Sequence, residues 1–211
     1  MKDKKLNTLI KISLLSAIAF ILMFFELPLP IFPSFLKIDL SDLPALIGGF
    51  ALGPVAGVLI ELLKNVLHVI FKGTSTALIG ELANFLVGSV FVITSASIYA
   101  KNKTRKNAII SLIIGSIVMS IAAGILNYYL FLPLYDKVLG FKIAAVVGMG
   151  SKLNPRIINL FTLILWSIIP FNLLKGIAVS AVSLAVYKAV SPILHQEEVY
   201  NGADKKELGK L

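Results

Sequence analysis

Cysteine is absent from the 211 residues of this chain, which excludes a disulfide framework, a thiolate metal site and a cysteine nucleophile. Charge is scarce too, at 15% Asp, Glu, Lys and Arg, whereas soluble domains carry about 25%. The two histidines, His68 and His195, lie far apart in sequence and suggest no local metal pair. No H-E-x-x-H, G-x-S-x-G or Walker lysine loop occurs, so an enzyme is not supported, an ATPase cannot be built, and no cofactor is called for. A repeat of fixed period is also missing, which argues against the inverted repeats of many secondary transporters.

What the chain has in abundance is apolar sequence: 57% of residues are hydrophobic and the mean hydropathy is +0.91. A bilayer core is roughly 30 Å thick and takes about 20 apolar residues per helical span. The composition therefore predicts an all-α polytopic membrane protein with six transmembrane helices. Residues 1–191 form a single transmembrane domain and 192–211 a polar cytoplasmic tail. The net charge of +9 comes from short basic clusters beside apolar runs, which fits cytoplasmic flanks better than a nucleic-acid face. The apolar run from Ile10 to Leu29 is too long for a signal core and holds its A-x-A match, Ala17 to Ala19, inside it, so it reads as the first span.

Helix 1 is expected from Thr8 to Leu27, stopping in a Pro-rich stretch from Leu27 to Pro33 where lost backbone donors forbid continuation. Ser41 and Asp42 then read as the start of the next helix, their side-chain oxygens accepting from its free N–H groups. The stretch Pro44 to Phe71 suits either one kinked span or two short ones divided at Gly53-Pro54. The tendency of basic residues to stay cytoplasmic selects the second, because a turn there puts Lys101, Lys103, Arg105 and Lys106 on the side of the basic N-terminus and of Lys188, Lys205, Lys206 and Lys210. Helix 2 follows from Asp42 to Gly53, helix 3 from Pro54 to Phe71, helix 4 from Ala77 to Tyr99, helix 5 from Ala108 to Leu132 and helix 6 from Phe171 to Val190. Residues 133–170 are then expected to lie outside.

Polar residues inside apolar runs are costly in lipid and normally face a cavity, a partner or each other. Glu61 and Lys64, three apart on helix 3, are spaced to neutralise each other, with Asn65 and His68 beyond them. Glu81 and Asn84 share a face of helix 4 and suit either a cavity lining or interhelical hydrogen bonds. Asn127 ends helix 5, while Asn172 and Lys175 open helix 6. A ligand site and a snorkelling lysine between interfacial asparagines both fit these three. Tyr128, Tyr129 and Phe171 read either as an aromatic belt or as walls for a flat ring. Ser13 and Ala17 form a small-x-x-x-small pair on helix 1 that permits close approach of another helix.

The run Lys37 to Gly57, Leu63 to Asn65, the Gly-Glu-Leu-Ala-Asn-Phe of Gly80 to Phe85, and the Pro-Phe-Asn-Leu-Leu-Lys-Gly of Pro170 to Gly176 resemble the riboflavin-specific S components, the RibU family, of energy-coupling factor (ECF) transporters. The resemblance implies the six-helix S-component fold in a bacterial cell membrane, both termini cytoplasmic, and riboflavin as the transported ligand rather than a cofactor. It implies as partners a transmembrane coupling subunit and two ATPase subunits that drive uptake. It places ligand contacts at Asp39, Leu40, Ser41, Asn127, Asn172 and Lys175, beside the cavity-facing Glu81 and Asn84, and docking on the coupling subunit at Ser13 and Ala17. Asparagine amides and a lysine donor suit the carbonyls, imide and hydroxyls of a neutral flavin. An S component for another vitamin, or a solitary transporter, stays open as an alternative.

Overall fold

A computed structural model describes residues 2–186. The expected tail, with His195 and the basic residues from Lys188 onward, lies outside the described residues. Helix α1 spans Lys2–Met23. A two-stranded antiparallel hairpin follows, β1 at Leu27–Pro28 pairing with β2 at Lys37–Ile38. Then come α2 at Asp42–Leu52, α3 at Pro54–Lys72 and α4 at Ile79–Lys101. The apolar helix Arg105–Leu139 is α5, a short helix Ile143–Leu153 is α6, and Leu160–Val186 is α7. Five of these, α1, α3, α4, α5 and α7, are long and apolar enough to cross a membrane. Helix α2, with 11 residues, is too short to span alone, so six full spans are not what the described residues present.

The Gly53-Pro54 division is a sharp turn. Gly53 holds φ at +102°, a region open to glycine at little cost, and Pro54 starts α3 where its missing N–H is no loss. The turn folds α2 back along α3. Gly49 and Gly57 let the backbones meet: a Cβ on Gly57 would lie 2.9 Å from the Ala45 carbonyl oxygen, and one on Gly49 would lie 3.2 Å from Val92 of α4. Small residues serve membrane helices in this way because lipid supplies no hydrophobic drive between them.

Helix 1 starts and stops earlier than Thr8 to Leu27, ending at Met23, because backbone there leaves the helix to enter the hairpin. The larger correction concerns residues 133–170. Pro133 lies inside α5 and Pro170 inside α7, rather than at helix ends. Each follows a π-helical turn, Asn127–Phe131 and Ile164–Ile168, and the N–H that closes each turn reaches five residues back, Leu132 to Asn127 and Ile169 to Ile164. A proline ring normally collides with the carbonyl four residues before it, and a wider turn just ahead displaces that carbonyl. Helix 6 therefore begins at Leu160 instead of Phe171, capped by Asn159 and Thr162, and the stretch Ile157 to Ile169 belongs largely to it.

Two apolar clusters hold the bundle. One joins α1 to α5, including Leu46, Ile60, Phe91, Val92, Leu112 and Met119. The other, around Ala123, Val146, Leu163 and Ile168, has Phe35 and Leu36 of the loop after α1 packed on it. That second cluster seats the loop over α5, α6 and α7.

Candidate functional site

The loop after α1 is fixed at its base by Glu26, whose carboxylate lies 2.8 Å from Lys37 and 3.4 Å from Lys72. Partial burial pushes that carboxyl upward, but the two ammonium groups outweigh it and hold it below the usual carboxylate range. Phe32 of the loop meets Phe171 of α7 edge to face at 5.4 Å. These contacts bring the loop's end, Asp39 to Ser41, down onto the helices.

There the chain buries five ionisable side chains together. Lys64 of α3 donates to Ser41 Oγ at 2.9 Å and to Asp42 Oδ1, with Glu61 Oε2 at 2.8 Å. Lys175 of α7 donates to Asp39 Oδ2 at 3.1 Å, and its Nζ lies 3.0 Å from Asp42 Oδ2. Lys64 and Glu61 have no exposed surface and Lys175 only 8%. Lysine 175 is thus a buried ion-paired residue rather than a snorkelling one. Asp42, between both ammonium groups, ties α2, α3 and α7 to the loop. In the sequence Asp42 reads only as a helix start. Two lysines within spans signal that acids must exist to pair with them, and Asp42 is the one both reach.

Helix α2 does start at Asp42 behind Ser41, but without the side-chain cap expected there. Ser41 makes no side-chain cap on α2; its hydroxyl accepts from Lys64, and its own N–H donates to Asp39 Oδ1 at 2.8 Å. A charged donor outcompetes a backbone N–H for that oxygen. Leu40 sits half-buried against the first apolar cluster.

Glu81 and Asn84 lie in a separate polar group. Glu81 Oε2 accepts from Thr74 Oγ1 at 3.1 Å and Thr76 Oγ1 at 2.9 Å, and His68 Nδ1 is 3.8 Å from Oε1. Asn84 Oδ1 is 3.4 Å from Asn65 Nδ2, which also donates to the Glu61 carbonyl. Ala77 and Leu78 before α4 take left-handed backbone, φ +48° and +68°; such strain in non-glycine residues persists only when surroundings fix it. Here the Thr74 hydroxyl receives the Leu78 N–H at 3.0 Å.

Asn127 opens one π-turn and Asn172 follows the other by four residues, each donating to the carbonyl four residues before it, Ala123 at 2.8 Å and Ile168 at 2.9 Å. Among the described residues neither side chain makes a further hydrogen bond, which leaves donor and acceptor capacity for another group. The structure therefore unites Asp39, Ser41 and Lys175, and leaves Glu81 and Asn84 in a second cluster. A cleft of about 400 Å³ opens between the loop and α6, lined by Pro28, Phe32, Pro33, Met149 and Lys152 among others, and none of the residues expected to touch ligand lines it. Ser13 and Ala17 are exposed on α1, facing away from the bundle.

Comparison with known proteins adds a family. The family described as "ECF transporter, substrate-specific component" matches residues 7–187. The chain is 41% identical over 186 residues to the riboflavin transporter RibU of Staphylococcus aureus (strain TCH60), covering 88% of this chain and 91% of that one. It is 35% identical over 194 residues to the riboflavin transporter FmnP of Bacillus subtilis (strain 168), covering 92% and 96%. A solved structure described as "Structure and mechanism of the S component of a bacterial ECF transporter" superposes with a TM-score of 0.71 at 38% identity, over 91% of this chain and 99% of that chain.

Proposed function

Because this chain belongs to the family of ECF transporter substrate-specific components, we propose that it binds riboflavin at the outer face of a bacterial membrane and delivers it inward with an energy-coupling module. The observation that carries the reading is the 41% identity to a riboflavin transporter along nearly the whole of both chains. At that level the side chains lining a site are retained more often than the fold alone would require, so ligand class follows further than fold class does.

In this reading Lys175, Asn172 and Asn127 offer donors and acceptors to the flavin ring and chain, and Asp39, Leu40 and Ser41 close over it. Burial of Lys175 supports its part, since a desolvated ammonium gives a stronger hydrogen bond than a hydrated one. The ligand's arrival requires the loop to yield, because Lys175 is held by Asp39 and Asp42. Glu81 and Asn84 contribute from the second polar group on α4. Both termini face the cytoplasm, and ATP hydrolysis by two partner subunits powers release through a transmembrane coupling subunit that docks on Ser13 and Ala17. The chain itself is a transport component and not an enzyme.

The test is direct. The purified full chain in detergent, freed of bound flavin, is titrated into riboflavin while flavin fluorescence is read. Saturable quenching at one site per chain is expected. Quenching no greater than with bovine albumin would refute riboflavin as the ligand, and another vitamin quenching riboflavin competition more tightly would reassign it.

A further inference from the structure

The buried cluster holds three carboxyl groups, Asp39, Asp42 and Glu61, against two ammonium groups, Lys64 and Lys175, all at 8% exposure or less. Fully ionised, it is one positive charge short. A bare charge inside a membrane protein is expensive enough that such groups either pair or neutralise, so the distribution of donors decides which carboxyl stays uncompensated. Asp42 lies against both ammonium groups. Asp39 has Lys175 and the Ser41 N–H. Glu61 has least: its Oε2 has Lys64 alone, at 2.8 Å, and its Oε1 has no partner among the described residues. The Lys64 ammonium is meanwhile engaged by Ser41 and Asp42. Across from Glu61, α4 brings no charge but Gly88, where a Cβ would lie 2.6 Å from Oε2. The charged groups facing it are Lys64 on its own helix, Asp42 on α2 and Lys175 on α7, with Asp39 behind them.

We propose that the Glu61 carboxyl binds one exchangeable proton, which renders the buried cluster electrically neutral. Its neutral form needs no second ammonium and leaves Lys64 to Asp42 and Ser41. Two carboxylates then face two ammonium groups, the balance a membrane interior tolerates. Glu61 and Lys64 are outside the proposed flavin contacts, whereas Asp39 and Lys175 belong to both, so the proton is assigned to the ligand-free protein.

The experiment uses infrared spectroscopy on the full chain in detergent, without riboflavin. At neutral pH the wild type should show the C=O band of a neutral carboxylic acid. It should shift when glutamate, and not aspartate, is isotope-labelled, an arm that needs no substitution. The band should vanish in Glu61→Gln and survive in Glu81→Gln, whose native carboxylate already accepts from two threonines. It should also vanish in Asp42→Asn, because Glu61 then ionises against Lys64. Absence of the band, its persistence in Glu61→Gln, or its failure to shift on glutamate labelling would each overturn a resident proton.

Discussion

Lys175 and Asp39 stand 136 residues apart in the chain and 3.1 Å apart in the fold. Both are more than nine-tenths buried. The last long helix is thereby joined to the loop that follows the first, and the same ammonium reaches Asp42 at the start of α2. Opening that loop means separating a buried ion pair, and removing one partner of such a pair costs about 3 to 5 kcal/mol.

Lys175→Ala should weaken riboflavin binding by roughly ten- to a hundredfold, since a hydrogen bond from a charged donor is worth about 1.5 to 3 kcal/mol. Asn127→Ala and Asn172→Ala should each cost about 1 to 3 kcal/mol of binding by leaving ligand groups unpaired. Fluorescence quenching with the purified variants measures this, and a melting curve on each separates lost affinity from lost fold. Lys152→Ala, at the exposed rim of the cleft, serves as the comparison. Binding by Lys175→Ala within about twofold of wild type, under roughly 0.5 kcal/mol, sinks the contact.

Sidedness is checked with single cysteines, which the native chain allows because it has none. Asn102 lies in the turn between α4 and α5, and Gly150 lies on α6. An impermeant thiol reagent on intact cells should spare Asn102→Cys. It should label a cysteine on the α6 side, and Lys152→Cys gives an exposed alternative to the buried Gly150→Cys. The reverse pattern inverts the orientation drawn from basic clusters.

The exposed pair Ser13 and Ala17 should matter only when partners are present. Replacing both with Leu should abolish uptake in cells while the isolated chain binds riboflavin as before, because bulk on that face blocks a close helix contact without touching the bundle. A loss of binding by the isolated variant would mean the pair supports the chain's own fold.

Gly57→Ala tests the α2–α3 hairpin. The new methyl would collide with Val92 of α4 and lie 2.9 Å from the Ala45 carbonyl and 3.1 Å from the Gly49 Cα, so both a side chain and backbone must move, at about 1 to 3 kcal/mol. Gly148→Ala on α6 meets nothing within 4 Å and should raise stability by roughly 0.5 to 1 kcal/mol, because glycine costs entropy in a helix. Opposite shifts in the melting temperatures of the two variants are the expected result. Equal behaviour would mean that the close approach at Gly57 is not a packing constraint.

The sequence by itself determined what depends on neighbours in the chain. Apolar length set the membrane helices, the placement of basic clusters selected a turn at Gly53-Pro54, and a three-residue spacing set the Glu61–Lys64 pair, which the fold holds at 2.8 Å. Tertiary structure decided the rest. A proline reads as a helix end until a π-turn ahead of it moves the clashing carbonyl, and whether that wider turn forms depends on the helices packed around Pro133 and Pro170. Asp42 reads as a helix cap until two lysines, 22 and 133 positions onward, arrive beside it. Charge attraction acts through space and the burial that strengthens it belongs to the assembled bundle, so neither the choice of partners nor the gathering of three carboxyl groups around two ammonium groups is written in any local stretch of residues.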